Sequence, residues 1–494
     1  MLFSLGTNTF TKILPMKFLC IASLIFIVFL LLYYCVKDKF KIYILLISSI
    51  LFISVLSVNV AIFSLLFAAL NYLIGIALDK FRSNQNLKTN IFWLGIFLNI
   101  AILGSFKYLN VFFESLDSKF FDSGIYSLVR PMSIMIPIGI SYYTFQSLGY
   151  LIRVSRGNEN AERNFATYAT YLLFFPKFLS GPVSRSNQFI PQLNNPAKYD
   201  KNNVETGSRL FLWGLFKKIV IADNLFGPVS EVYNNVHQFS GLALITILFV
   251  QTIYIYSDFS GYTDMALGVA KMFGINLVDN FNRPFLAKNI SDFWRRWHIS
   301  LSSWCNDFIY NPFIIKFRRF GNQAVIAGIF LTFFIVGIWH GANWTFVILG
   351  ILQGIAIVYE FHTKKYRLKF AARFSKSTVT MVSRLVVFIF MSVSMVFFFS
   401  KSVSDALYFI SHLFSNSSLH NADSNLISNK MEFSVAILAF AILFYIELLN
   451  ERGKNLMLLF LKQPMWLRWT CYLAIVALIG IFYSGFNTFY YMRF

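Results

Sequence analysis

Charge is what this 494-residue chain has least of. Asp, Glu, Lys and Arg make up 13% of its residues, where a soluble domain carries about a quarter. That composition excludes a water-soluble globular enzyme of this size. Cysteine is scarce too: Cys20, Cys35, Cys305 and Cys471 lie far apart with no Cys-x-x-Cys, so neither a disulfide framework nor a zinc knuckle is indicated. Several chemical signatures are missing. Without a Walker A sequence or a glycine-rich nucleotide fingerprint, coupling to nucleotide hydrolysis has no support. None of the six histidines is followed by Asp five positions on, which removes the His-x4-Asp type of glycerolipid acyltransferase. A Gly-x-Ser-x-Gly nucleophile elbow is absent as well. No internal repeat or low-complexity tract occurs, and the longest polar stretches, 183–208 and 401–431, are too short for an independent core.

What remains is apolar: 57% of the residues, in long blocks. Phe18 to Val36 runs 19 residues without a charge. At about 1.5 Å per residue it spans roughly 28 Å, close to the hydrocarbon thickness of a bilayer. Similar stretches near 42–56, 60–78, 91–113, 131–152, 165–182, 209–226, 242–273, 322–339, 344–361, 379–399, 432–450 and 466–486 predict an all-α polytopic membrane protein. They imply roughly eleven to thirteen helices in one membrane domain spanning 1–494, some of them re-entrant or interfacial. Lys12 and Lys17 precede the first block and no Ala-x-Ala-like site follows, so an uncleaved anchor helix is expected. The 43 basic and 22 acidic residues leave a net charge of +21. The positives sit between apolar blocks, where anchoring on the cytoplasmic side explains them better than nucleic acid does.

The positive charges also predict topology. Lys37 to Lys41 and Lys80 to Lys88 lie two helices apart and share the cytoplasmic face. The segment 114–129, with Glu114, Asp117 and Asp122, suits the outer face. Lys364 to Arg384 carries seven Lys or Arg and no acid and returns to the cytoplasm, as do Lys316, Arg318 and Arg319. The apolar hairpin 322–361 between these clusters therefore turns at its far end, at Trp339-His340-Gly341-Ala342-Asn343-Trp344.

An ionisable group in or at the edge of an apolar slab is a functional candidate, and imidazole is the usual general base. Two readings of His340 stand at this point: a base, or an interfacial imidazole in an aromatic belt with Trp339 and Trp344. A second candidate is Phe293-Trp294-Arg295-Arg296-Trp297-His298-Ile299-Ser300-Leu301-Ser302-Ser303-Trp304. As a helix it places Trp294, Trp297, His298, Leu301 and Trp304 at related positions. It reads either as a site containing His298 or as a basic interfacial anchor. The 42-residue gap between the two histidines is no metal-ligand spacing, and no metal is expected.

Asp258 and Asp264 fall inside a long apolar helix about 240° apart, so they do not form a dyad; Asp258 and Tyr262 share a face. Carboxylates that tie helices together are the favoured reading there, beside a passage-lining role. Gln146, in Pro137-Ile-Gly-Ile-Ser-Tyr-Tyr-Thr-Phe-Gln146, lines a passage or packs against a neighbouring helix.

Together, Asp258-Phe-Ser-Gly-Tyr-Thr-Asp264, Asn280-Phe-Asn-Arg-Pro284, the Trp-Arg-Arg-Trp-His segment and Gly337-Ile-Trp-His-Gly-Ala-Asn-Trp344 resemble the membrane-bound O-acyltransferases. The branch they resemble contains bacterial alginate O-acetyltransferases and teichoic-acid D-alanyl transferases. Tyr143-Thr-Phe-Gln146 and Phe174-Phe-Pro-Lys-Phe-Leu-Ser-Gly-Pro-Val-Ser-Arg185 fit the same branch, and the motifs run in order over about 100–360. The resemblance implies a ring of helices around a central acyl-transfer passage, with His340 and His298 as the family's two histidines. It implies a thioester donor on the cytoplasmic side, acetyl-CoA or an acyl carrier protein, and no tightly bound cofactor. The acceptor implied is an extracytoplasmic glycan, reached directly or through an esterase-like partner on the outer face of a bacterial cytoplasmic membrane. Tyr491, in Phe489-Tyr-Tyr-Met-Arg-Phe494, resembles a terminal relay tyrosine of this branch; an aromatic anchor is the other reading. The chain departs from the pattern at Arg153, where many relatives are acidic, and at Cys305-Asn306 ahead of Asp307, Tyr310 and Pro312. The rival expectations are D-alanyl transfer to teichoic acid, transport of a lipid-linked glycan and a helical scaffold.

Overall fold

The computed structural model describes residues 16–120, 137–415, 427 and 429–483. Among the described residues the secondary structure is helical, with one isolated bridge between Phe281 and Trp297 and no strand. Among the described residues nine helices are long and apolar enough to cross a membrane, and a shorter apolar helix covers Ser23–Cys35. The chain is an all-α multi-pass membrane protein. The stretch near 165–182 falls short of that length: it gives a nine-residue helix Phe165–Leu173, and Pro176, which cannot complete the helical ladder, follows it. In the stretch near 131–152 a 16-residue helix Ile140–Ser155 is described. The stretch near 209–226 lies in one unbroken helical run made of Lys201–Phe216, a π-helical turn Lys217–Ala222 and Asp223–Asn234.

The chain divides into two compact units. One comprises Cys20–Ser208 and Ala266–Val278. Its spanning helices are α1 (Asp38–Leu56), α2 (Val58–Lys80) and α3 (Gln85–Phe120). Their outward residues, such as Val55, Leu66 and Phe97, are exposed and apolar, whereas Ser49, Ser64, Asn71 and Asn99 are buried. That inversion of the soluble pattern follows from a lipid exterior. Inside it Asn99 donates to Asn71 Oδ1 at 2.7 Å, and Ser49 to the Leu45 carbonyl at 2.7 Å, as a dry interior favours.

The second unit, Arg209–Met265 and Asp279–Arg493, carries the histidine motifs. Within it lie most of α4 (Gly241–Met272), α5 (Ile290–Trp294), α6 (Ile299–Cys305), α7 (Asn322–His340), α8 (Trp344–Ala371), α9 (Lys376–Phe399) and α10 (Lys430–Glu451). Side chains close the helix starts where the sequence supplies them. Asn343 accepts from the Thr345 N–H, Ser375 from Thr378 and Asn429 from Glu432, each replacing a missing intrahelical partner.

α4 is held by charge. Lys218 Nζ lies 2.7 Å from Asp258 and 2.9 Å from Asp223, all three buried, and Lys217 Nζ lies 2.8 Å from Asp264. The two helices approach closely at Gly214 and Gly261, where a Cβ on either would meet the other's carbonyl oxygen at 2.5 and 2.8 Å. The π turn then presents two successive lysines to carboxylates that sit on different sides of α4. Removing one charge from this triad strands the others in low dielectric, at a cost of about 3–5 kcal/mol. Asp258→Asn should therefore lower the thermal midpoint of the purified protein sharply, and adding Lys218→Met should recover part of the loss. An Asp258→Asn protein that melts with wild type would sink this account.

Candidate active site

α7 and α8 form a hairpin whose turn is Gly341-Ala342-Asn343. The helices come within backbone contact, since a Cβ on Gly350 would lie 2.3 Å from the Phe333 carbonyl oxygen and one on Gly337 2.5 Å from that of Phe346. His340 is the last residue of α7, about 27 Å of helix from Asn322. Its ring is buried, 4.7 Å from Trp339, 5.3 Å edge-on from Phe398 and 6.2 Å from Phe346 in a stacked arrangement. Asn343 fixes the turn from both sides, capping α8 and donating to the Lys401 carbonyl. The two tryptophans of the turn part ways. Trp344 is 72% exposed, as an interfacial anchor would be, and Trp339 is 6% exposed.

The Trp-Arg-Arg-Trp-His segment is not the single helix its periodicity suggests. α5 ends at Trp294 and α6 begins at Ile299, with His298 between them in the left-handed region at φ 45°, ψ 50°. Non-glycine residues enter that region at a cost of about 1–2 kcal/mol. The surrounding hydrogen bonds enforce the break. Asn280 accepts from the Ile299 N–H through its carbonyl, at 3.0 Å, and from Ser300 Oγ and the Ser300 N–H through its side chain, at 2.6 and 3.2 Å. The Asn282 N–H donates to the Arg296 carbonyl at 2.9 Å. Asn280 was visible in the sequence only as a motif residue; its bonding partners lie some twenty positions on, beyond the reach of local pattern.

The break turns His298 inward. Its ring lies 4.9 Å from Phe259 and 5.7 Å from Trp339, so Trp339 touches both histidines. Burial pushes the His298 imidazole down to about 3, which keeps it neutral at any ordinary pH. Trp297, also buried, stacks on Phe293 at 5.5 Å and meets Phe281 edge-on at 5.1 Å.

A cavity of about 1640 Å³ opens beside this pair. Val325, Ile329, Thr332 and Val336 line it from one face of α7, a run of about 16 Å. Val336 is one helical turn before His340, and Ile299 adjoins His298. The other end is basic, with Lys364 and Arg367 of α8 and Lys288 and Arg295 flanking α5. Glu360 is the one carboxylate among the described lining residues, and its oxygens accept from the Ile290 N–H at 2.6 Å and from Ser291 N–H and Oγ at 3.2 Å.

Asp258 and Asp264 are engaged by Lys218 and Lys217; Tyr262 is buried on the same helix. Gln146 belongs to the other unit, where its Oε1 accepts from the buried Lys177 Nζ, with the rings of Phe189 and Tyr171 at 4.2 and 4.8 Å. Arg153 pairs with Glu159 at 3.2 Å. Tyr491 and the segment 121–136 lie outside the described residues. Among the described residues no group of three or more His, Cys, Asp or Glu is placed to hold a metal ion.

The chain is similar in sequence to known proteins. The membrane-bound O-acyltransferase family model matches residues 1–400. The chain is 35% identical over 336 residues to the probable alginate O-acetylase of Pseudomonas aeruginosa, covering 67% of this chain and 63% of that protein. It is 29% identical over 470 residues to the peptidoglycan O-acetyltransferase of Helicobacter pylori, covering 86% of each. The teichoic acid D-alanyltransferase of Bacillus subtilis is 29% identical over 253 residues, 48% of this chain and 63% of that protein. The alignment to the Pseudomonas aeruginosa protein thus spans a little under two thirds of that relative's length. The family match includes the whole stretch that builds the paired histidines and the cavity beside them, and on that ground the chain belongs to the membrane-bound O-acyltransferases.

Proposed function

We propose that the protein is an O-acyltransferase that moves an acetyl group from a cytoplasmic thioester to a hydroxyl of an extracytoplasmic glycan, in a bacterial cytoplasmic membrane. The observation that carries this reading is the course of the cavity, from a basic rim to within one helical turn of the buried His340. The basic rim marks the cytoplasmic side by the distribution of positive charge, and His340 then stands at the far turn, where an outer acceptor would arrive.

The reaction follows from these positions. The acceptor hydroxyl gives its proton to His340 as its oxygen bonds to the acyl carbon. The C–S bond then breaks, and the departing thiolate takes up the proton that the imidazole acquired. His298, neutral through burial, offers an N–H to the oxyanion formed in between. Trp339, wedged against both rings, fixes their separation. The acetyl group reaches the glycan directly or through Tyr491 and an esterase-like partner on the outer face.

The cavity also favours acetyl over D-alanyl. An aminoacyl donor would carry an ammonium group toward Val336 and Leu301, where the lining offers no carboxylate but Glu360, already taken by α5. An unpaired charge in such surroundings is costly. Glycan O-acetylation is also what the names of the alginate and peptidoglycan relatives state for those proteins.

The test is acyl transfer in proteoliposomes from labelled acetyl-CoA and, separately, from an acetylated carrier protein. His340→Ala should lose about 10²–10⁴ in rate at equal protein level, the usual worth of a general base. Normal transfer by that variant would remove His340 from the mechanism. Tyr491→Phe should abolish label on the chain while donor cleavage dependent on His340 persists; label that stays on the chain would discard the relay. A D-alanyl thioester offered in place of acetyl should react at least tenfold more slowly, and equal rates would show that the cavity does not discriminate by charge.

A further inference from the structure

Among the described residues His298 shares its positive φ with one other non-glycine residue, Arg283, at φ 52°, ψ 58°. The two belong to stretches of chain that run antiparallel. The bridge between Phe281 and Trp297 joins these stretches, as does the Asn282 N–H on the Arg296 carbonyl at 2.9 Å. Left-handed backbone is disfavoured for any side chain with a Cβ, so it persists only where the surroundings hold it. Asn280 secures one side of the pairing, at Ile299 and Ser300. The other side is secured from α10.

The inward stripe of α10 is Ala436, Ala439, Leu443 and Glu447, while Leu438 and Ile442 are exposed. The stripe is apolar until its end, where it turns acidic. Glu447 and Glu451 are four residues apart and share a face. Glu451 takes Arg296 in a fork, with Nη2 3.0 Å from Oε1 and Nη1 3.2 Å from Oε2, and Arg283 Nη1 lies 3.2 Å from the same Oε2. One carboxylate thus joins the two stretches, at Arg283 itself and two residues before His298. Asp292 holds Arg296 Nε at 3.1 Å, so the guanidinium is engaged through all three nitrogens. Glu447 accepts from the hydroxyl of Tyr256 on α4, whose ring lies 5.7 Å from Phe281 and 6.1 Å from Trp297. Tyr256 therefore backs both residues of the bridge.

We propose that Glu451, with Glu447 beside it, positions His298 for the reaction: from α10 the two carboxylates hold the paired stretches in register and keep the His298 ring turned inward against Trp339. The inference rests on the acyltransferase reading above and deepens it. Glu451 and Glu447 are positioning residues, acting through Arg283, Arg296 and Tyr256. An Arg–carboxylate fork fixes orientation as well as distance, which an apolar contact at the same place would not do. An N–H that stabilises an oxyanion works only within hydrogen-bond reach of the place where the charge forms. A small rotation of the break would therefore cost transition-state stabilisation while leaving the donor cavity as it is. That separates this role from a general contribution to the fold.

The full chain in phosphatidylcholine nanodiscs tests this in two ways. Diethyl pyrocarbonate modifies accessible imidazole nitrogens, and peptide mass spectrometry reads each histidine separately. In wild type the buried His298 and His340 should stay protected while the exposed His237 reacts. Glu451→Gln should speed modification of His298 by about tenfold or more, a local opening, and leave His340 protected. In acetyl transfer the same variant should lower kcat by about tenfold or more with KM for the donor retained, the pattern of a weakened oxyanion contact. Glu451→Asp should recover part of both effects. Adding Arg296→Gln to Glu451→Gln should cost nothing further, since the two share one pair. Glu432→Gln, the same change in the first turn of α10, should behave as wild type. A protected His298 in Glu451→Gln would overturn the proposal, and so would exposure of both buried histidines together, which is general loosening. Should Glu451→Gln not fold, Arg296→Lys keeps the charge and loses the fork; unchanged His298 protection and kcat in that variant would overturn the proposal equally. Normal transfer by His340→Ala, with His298 released in Glu451→Gln, would instead overturn the acyltransferase reading and leave the link from α10 standing.

Discussion

A bilayer interior offers no water to satisfy a polar group, and most of this structure can be read as a response to that constraint. Lysines 217 and 218, which would be surface residues in a soluble protein, are buried and neutralised by Asp264, Asp258 and Asp223. Once these charges must meet, much else is settled. The helix carrying the lysines adopts a π turn, glycines are required at 214 and 261 so that the backbones come close enough, and α4 is fixed in rotation. Phe259, which packs against His298, sits on that same helix one residue from Asp258. A buried ion pair contributes little net stability against an apolar replacement; its effect here is to remove alternatives.

The same constraint explains the backbone at His298. A helix through 290–305 would point that imidazole with the tryptophan face, toward the interface. Asn280 instead draws off the N–H of Ile299 and both donors of Ser300. The hydrogen bonds lost by interrupting the helix are regained from one side chain and one carbonyl, and the strain at φ 45° is held by the packing around Trp297 and Trp339. Strained residues that survive in a well-bonded setting concentrate at functional sites.

How much of this the sequence discloses depends on how far the partners lie along the chain. The hairpin turn at His340 is local: Gly337, Gly341 and Asn343 are within a few residues of it, and charge counts at the two helix ends place it opposite the basic clusters. Helix starts at Asn343, Ser375 and Asn429 are legible for the same reason. The count of spans is less so, because the helix in the stretch near 165–182 ends ahead of Pro176 although its composition alone looks continuous. The break at His298 is illegible locally, since periodicity over 294–304 fits one helix and the residue that overrules it is Asn280. Likewise Asp258 and Asp264 show only as two acids about 240° apart; their partners are 40 and 47 positions earlier. Glu360, about seventy positions from the N–H groups it caps, carries no motif at all.

The placement of charge in the unit that holds His298 and His340 has a chemical logic of its own. An acyl group is neutral and can cross low-dielectric space at little electrostatic cost, whereas the phosphates of its carrier and the sugar chain of its acceptor cannot. A cavity with cations at one end and aliphatic side chains toward the other would, in the proposed reaction, hold a carrier's charge at the rim and admit an uncharged arm. In the proposed reaction, deprotonation of the hydroxyl makes a cation on His340 and an anion on the acyl oxygen side by side. Opposite charges formed a few ångströms apart in a poorly screened setting attract strongly, so each offsets the other's burial. A permanently charged base or acyl group would lack that offset. On that reading a buried imidazole suits the far end of such a passage better than a permanently charged lysine or carboxylate, and the ion pairs of Lys217, Lys218 and Glu451 lie away from the residues that line the cavity.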